Sequence, residues 1–425
     1  MPDGRPVNRT FDPARPPRID RWPDATHGTR GLRAWFGTGG CTAIVQPGVA
    51  GELDRYRGLL DPSDKGPDAR WRPSVRVVEA EKATRADLAG PLLVVGPVGP
   101  LVSAYLDRTP FPQAGAILTS MRSDDTIRVT GVNPWAPESP MIVISGSSDA
   151  AVLGFLERSE WLRAPDYELV RNGMRVRYGR YTAAKEGAWG VDASTDVDLR
   201  SRLAWVEDSG VRAVYVEGEI EEARARVVAS RAAVDLESYL RRLGGTSEAA
   251  HVELVLYPDL EAKSVRSDDP RWSHLEAATS RMPRVHRVHM VAPTGNEEPD
   301  RIGLARAALR LAAGDVSPRA LADGAAVWLA GGMMGHSLDW WAGRLTASGV
   351  LPSADDLFDE SRYRDRTYLV GIPAAAMMMT RLSAGRSPSE ISTLLRDPVR
   401  ARTLARATEQ RVPSPPPGPG NPSTR

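Results

Sequence analysis

Asp300-Arg301-Ile302-Gly303-Leu304-Ala305-Arg306-Ala307-Ala308-Leu309-Arg310 and, after a short loop, Ser317-Pro318-Arg319-Ala320-Leu321-Ala322-Asp323-Gly324-Ala325-Ala326-Val327-Trp328-Leu329-Ala330-Gly331-Gly332 read as two consecutive helices. The residues before them set their context. Glu219 to Leu243 is one long amphipathic helix closed by Gly244-Gly245. His251 to Tyr257 alternates as a strand and stops at Pro258-Asp259, and Val285 to Val291 alternates in the same way. From Ile302 onward helices dominate. The C-terminal half therefore reads as long helix, two strands and a helical lobe.

Further upstream, from about Gly31 to Tyr181, short apolar strands alternate with helix-like segments. Thr42 to Gln46 ends at Pro47-Gly48, and Val75 to Glu79 is strand-like. Leu92 to Val95 leads into Gly96-Pro97-Val98-Gly99-Pro100 and a helix through Tyr105. Met141 to Gly146 feeds a helix capped at Ser147 or Ser148 that runs through Leu156. Strand, glycine turn and helix, repeated, predict a Rossmann-like α/β layer with a largely parallel sheet. Asn172-Gly173, between two extended segments, predicts a hairpin turn. Glycine at a strand-to-helix turn also invites a phosphate-binding reading at Gly96 and Gly146. Neither turn matches a dinucleotide or P-loop pattern, and Pro97 and Pro100 remove two N–H donors. Ordinary turn geometry accounts for both glycines.

The predicted class is α+β in four segments: a tail over 1–25, an α/β accessory domain over 26–183, a domain with a mixed sheet and helical lobe over 184–410, and a Pro-rich tail over 411–425. A chain of 425 residues suits about two domains at roughly 150 residues each. Basic and acidic residues nearly cancel, 55 against 54, so no global field steers the protein toward nucleic acid or an anionic membrane. No apolar run approaches the roughly 20 residues that span a bilayer. The Pro- and Arg-rich start lacks an apolar signal core, which points to a cytoplasmic protein. Cys41, the single cysteine, excludes an internal disulfide and a thiolate zinc cluster.

The order of long helix, strand ending Leu256-Tyr257-Pro258-Asp259, second strand and paired helices resembles the gluzincin (thermolysin-like) zinc metallopeptidases, specifically the bacterial peptidase-MA-like group. Ala322 to Leu329 is similar to that family's Ser-Glu-Gly-Leu-Ala-x-Tyr segment. Leu351-Pro352-Ser353-Ala354-Asp355-Asp356-Leu357 is similar to its Leu-Pro-Ser-Leu-x-x-Leu stretch, and Tyr368 to Leu382 to a helix that begins with Tyr. The resemblance spans roughly Val211 to Asp397. The N-terminal α/β region looks like an accessory domain carried by some members.

In that family an HExxH helix places two His on one metal with a Glu between them as base, and a later carboxylate completes the ligand set. Here the resemblance puts Ile302, Gly303 and Arg306 at the His, Glu and His positions, and Asp323 at the third-ligand position. Isoleucine has no lone pair, arginine is a permanent cation and glycine cannot act as a base. No zinc or other cofactor is expected. Because the second His and the later carboxylate converge in an active member, Arg306 and Asp323 are expected to form an ion pair. Tyr368 matches the family's helix-start tyrosine as a cleft residue, with Tyr363 as its competitor. His286 and His289 should point to opposite faces of their strand, and no other histidine shows ligand spacing.

The leading expectation is a pseudoenzyme that binds a peptide or protein ligand in the former cleft. A hydrolase using residues elsewhere and a small-molecule sensor acting through the α/β domain are the alternatives.

Overall fold

The computed structural model describes residues 12–17, 40–49, 51–61, 75–111, 114–157, 165–183, 189–246, 251–267, 269, 271, 273–275, 285–292, 295 and 298–409. The tails expected over 1–25 and 411–425 lie outside these residues, apart from 12–17. The fold is α+β and divides into two compact units. One comprises Met1–Leu203, Glu261–Pro270 and Ala277–Pro283; the other comprises Ala204–Leu260, Arg271–Glu276 and Arg284–Arg425.

The first unit is built on an eight-stranded sheet. Its strands are β1 (Cys41–Val45), β2 (Val75–Glu79), β3 (Leu92–Pro97), β4 (Thr126–Val132), β5 (Pro140–Gly146), β6 (Tyr167–Arg171), β7 (Met174–Gly179) and, after the hairpin β8 (Tyr181–Ala183) and β9 (Trp189–Val191), β10 (Val197–Asp198). The order is β10-β7-β6-β4-β5-β3-β1-β2. Helices α1 (Leu53–Leu60), α2 (Pro100–Leu106), α3 (Ala114–Thr119) and α4 (Asp149–Glu157) connect the strands. β2, β1, β3 and β5 pair in parallel, and β3 and β5 are continuous apolar runs buried along nearly their whole length, as a sheet covered on both faces requires. The other half is antiparallel, so the expected largely parallel sheet extends over only four of the eight strands. The turn at Asn172-Gly173 joins β6 to β7 with both residues at positive φ, as an Asn-Gly hairpin demands. Because β10 still pairs with β7, the division falls after Leu203 rather than after residue 183.

The second unit carries a five-stranded sheet of β11 (Leu203–Asp208), β12 (Val211–Val216), β13 (His251–Tyr257), β14 (Ser273–Leu275) and β15 (Val285–Val291), ordered β11-β12-β13-β15-β14. β12, β13 and β15 are parallel, and the short edge strand β14 runs antiparallel to β15. The long helix α5 (Glu222–Arg242) crosses from β12 to β13 and buries Ala225, Val228, Ala229, Ala232 and Leu236 in the unit's core. Helix α6 (Leu260–Ser267) follows β13, and Arg175 on β7 donates to its Val265 carbonyl at 2.6 Å within the first unit.

The helical lobe follows β15. It comprises α7 (Arg301–Ala313), α8 (Arg319–Ala330), the hairpin β16 (Gly332–Met333) and β17 (His336–Ser337), then α9 (Leu338–Ser348), α10 (Ala354–Phe358), α11 (Glu360–Arg364), α12 (Tyr368–Ser383), α13 (Pro388–Arg396) and α14 (Pro398–Glu409). Helix α8 packs along α12 so closely that a Cβ on Gly324 would lie 2.5 Å from the Ala375 carbonyl oxygen. Among the described residues no helix is long and apolar enough to cross a membrane.

Candidate functional site

Helix α7 begins where its first free N–H groups find a carboxylate. Asp300 caps it, its oxygens accepting from the amides of Ile302 at 3.2 Å and Gly303 at 3.0 Å. That cap fixes the surroundings of Gly303. A Cβ there would collide with Asp300 Oδ2 and stand 2.6 Å from Val288 Cγ1 on β15, so the backbone lies against both groups with no room for a side chain. Ile302, one residue earlier, packs its half-buried side chain against the core.

One turn further along α7, Arg306 reaches across to α8. Its Nη2 donates to Asp323 Oδ1 at 2.9 Å, which is the expected ion pair. Asp323 is only 8% exposed in its side chain and Arg306 31%, so the carboxylate is the desolvated partner. A lone buried carboxylate is costly, and here two further donors answer it. Arg319 Nε, one turn earlier on α8, lies 3.3 Å from Asp323 Oδ2, and the buried Tyr363 hydroxyl on α11 donates to the same oxygen at 3.1 Å. Burial first, then the adjacent Asp323 charge, raises the Tyr363 pKa, which keeps its hydroxyl protonated as a donor. Asp359 caps α11 by accepting from the Arg362 amide, which sets the short helix that presents Tyr363. Of the two tyrosines, Tyr363 joins the cluster. Tyr368, at the start of α12, is 56% exposed, and no hydrogen bond connects its hydroxyl to Asp323.

Arg319 is the member that sequence reading missed. Its signal was present, since Arg319 and Asp323 are four residues apart on one helix and so share a face.

The donor set at these positions does not suit a divalent cation. One carboxylate, flanked by two guanidiniums and a phenol, offers a single anionic ligand and two repelling charges. Among the described residues no group of three or more His, Cys, Asp or Glu side chains comes together as a metal would need. His286 and His289 do lie on opposite faces of β15. His289 Nδ1 and the Tyr257 hydroxyl are 2.8 Å apart, while His286 faces α7, where burial and then Arg310 hold its pKa below the ordinary value. His336 stacks on Trp340 with ring centroids 3.8 Å apart. His251 is exposed; His27 and the His274 side chain lie outside the described residues. Cys41 is buried, and burial pushes its thiol up to about 12, far from a reactive thiolate.

Beside the ion pair lies a cleft of about 220 Å³ in the second unit, lined by Arg271, Leu275, Arg306, Leu309, Arg310 and Val316 among others. Met333, Met378 and Met379 are buried in the core of the second unit, and Met334 at the β16–β17 turn is exposed.

The glycine turns of the first unit have structural explanations. A Cβ on Gly96 would collide with the Gln46 carbonyl oxygen, and one on Gly146 would come within 3.0 Å of Val152 Cγ2. The nearby amides of Gly48 and Val49 already hold an anion, the Asp149 carboxylate, at 2.9 and 3.0 Å, and the Tyr56 hydroxyl adds a third donor at 2.8 Å.

The chain matches no family model and no curated protein.

Proposed function

We propose that this protein is a catalytically inactive relative of the peptidase-MA-like zinc peptidases that acts as a peptide- or protein-binding module. The observation that carries the reading is the saturation of Asp323 by Arg306, Arg319 and Tyr363. On this reading a guanidinium stands where a metal ion would, and it ties α7 to α8 as the ion otherwise does. The base position belongs to Gly303, whose lack of a side chain the Asp300 cap and Val288 require. The remaining cleft lies beside the edge strand β14, and an extended peptide can add to a sheet edge through main-chain hydrogen bonds that need no metal.

The test is metal content by mass spectrometry on the purified full chain, paired with a general peptidase assay. The expected result is substoichiometric zinc and no hydrolysis with or without added zinc. Stoichiometric zinc that disappears in an Asp323→Ala variant would overturn the proposal.

A further inference from the structure

We propose that the carboxyl edge of the first unit's parallel strands is a binding site for a small ammonium-bearing molecule. The chain leaves β1 toward β2 and leaves β3 the opposite way, toward β4 and β5. The ends of β1 and β3 therefore diverge, and open α/β sheets take their ligands at such a crevice. Three side-chain oxygens at this edge are buried and make no hydrogen bond among the described residues. They are Gln46 Oε1, just past β1, Ser145 Oγ, near the end of β5, and Glu52 Oε2, at the N-cap of α1. Gln46 and Ser145 share a rung of the sheet. The Gln46 amide donates to the Val95 carbonyl, and Gly96 pairs with Ser145. One residue earlier on each strand, Val45, Val95 and Ile144 all join the core that contains Tyr56 and Val152. Gln46 and Ser145 therefore stand together on the opposite face, with the bare Gly96 between them. A Cβ on Gly99 would lie 3.7 Å from Gln46 Oε1, so the turn passing that oxygen places no side chain on it.

The oxygens decide the chemistry of the ligand. A buried oxygen without a donor destabilises the fold, so these positions call for a group that brings donors. The amides of Gly48 and Val49 are already committed to the Asp149 carboxylate, to which Tyr56 adds its hydroxyl, and Pro97 and Pro100 have no N–H. A phosphate dianion, which only accepts, would meet acceptors here. An ammonium group has three donors and no acceptor, the complement of Gln46, Ser145 and Glu52. Glu52 also brings a carboxylate, whose other oxygen pairs with Arg55. Val98, 40% exposed, offers apolar cover to a carbon chain. Because the three oxygens are sealed from solvent, entry requires the turn from Gly96 to Gly99 to lift. The Val98 amide donates to the Gly146 carbonyl at 2.8 Å, and the ligand's contacts have to replace that bond. The site belongs wholly to the first unit and stands apart from the binding role proposed for the second.

The experiment is calorimetric titration of the full chain at low salt with putrescine, the terminal butanediol of the same length, and inorganic phosphate. Putrescine should bind at least about tenfold more tightly than the diol. Gln46→Leu, Ser145→Ala and Glu52→Gln should each weaken putrescine binding at least about fivefold. Thermal melts separate loss of binding from loss of fold. Gln46→Leu and Ser145→Ala should melt no lower than the wild type, since each removes a buried oxygen that has no donor. A fall of more than about 5 °C in both would show that the two oxygens serve the fold, and would overturn the proposal. Putrescine binding that survives all three substitutions would place the amine elsewhere and overturn it too. So would a diol that binds as tightly as the diamine, phosphate that binds more tightly than either, or no binding of any probe up to about 5 mM.

Discussion

Arg306 on α7 and Asp323 on α8, seventeen residues apart in sequence, meet at 2.9 Å with unequal exposure, 31% for the arginine and 8% for the aspartate. The inequality decides which partner the fold depends on. Arg306 without Asp323 can return to water. Asp323 without its donors cannot, and the Tyr363 hydroxyl, buried beside it, cannot either.

Asp323→Ala should therefore destabilise the second unit more than Arg306→Met. Asp323→Ala strands a buried tyrosine hydroxyl, a loss of about 1–3 kcal/mol. Arg306→Met leaves Asp323 with Arg319 and Tyr363, and solvent screening of the half-exposed guanidinium keeps the loss nearer about 1 kcal/mol. Chemical denaturation of the two single variants and the double variant checks both the order and the coupling. An Arg306→Met variant that loses as much as Asp323→Ala would contradict this account.

Gly303 makes a prediction whose sign opposes helix propensity. Replacing a first-turn glycine by glutamate normally stabilises a helix, through propensity and the macrodipole together, by about 1 kcal/mol or more. Here the added Cβ meets Asp300 and Val288, so Gly303→Glu should lower the melting temperature, with a loss of about 1–3 kcal/mol from overpacking. Gly343 on α9 is the control, since a Cβ there meets nothing within 4 Å. Gly343→Ala should stabilise by about 0.5–1 kcal/mol. For the same steric reason, placing His, Glu and His at 302, 303 and 306 should lower the melting temperature as well.

What the sequence disclosed follows how local each signal is. The apolar runs of β1, β3 and β5, the Asn172-Gly173 turn and the span of α5 are carried by residues adjacent in the chain, and all could be read from it. The burial of both faces of β4 could not. Its Thr126, Arg128 and Thr130 alternate with apolar residues as in a strand with one wet face, yet all three are buried, and Glu168 on β6 answers the arginine from forty residues away. β14 has three residues, too few for alternation to register. At the site, no spacing along the chain pairs Arg306 with Asp323; that expectation comes from the resemblance alone. The choice of Tyr363 over Tyr368 depends instead on how α11 folds back over α8, which no spacing along the chain encodes.

His286 gives a pH dependence near neutrality. Burial and then Arg310 lower its folded pKa beneath the ordinary 6.5, with Asp315 opposing. Above 6.5 the ring is neutral in both folded and unfolded chains. As the pH falls below 6.5 the unfolded chain takes up a proton first, so stability is lost until the pH passes the folded value. The wild type should therefore lose more stability between pH 7.5 and about 5.5 than His286→Gln does. Parallel slopes in denaturation experiments at the two pH values would remove the assignment.

The buried triad of the first unit gives the largest predicted loss. Glu168 accepts from Arg128 Nε at 2.9 Å and from Arg175 Nε, and all three side chains are nearly sealed from solvent. Glu168→Gln keeps the shape and removes the charge that two buried guanidiniums share. The expected loss is about 3–5 kcal/mol, against no more than about 1 kcal/mol for Glu207→Gln, whose partner Arg212 is nearly half exposed. Replacing all three members by Met, Leu and Met should be less harmful than Glu168→Gln alone, since no uncompensated charge remains. Burial by itself would raise the Glu168 pKa, but Arg175 and Arg128 together bring it below the ordinary 4.5. The stability this adds is present above 4.5 and is lost as the pH falls through the lower folded value, so acid unfolding should begin in that window for the wild type and be blunted in the apolar triple variant. Circular dichroism followed from pH 6 to about 2 measures the difference, and identical acid transitions would show that the triad does not govern it.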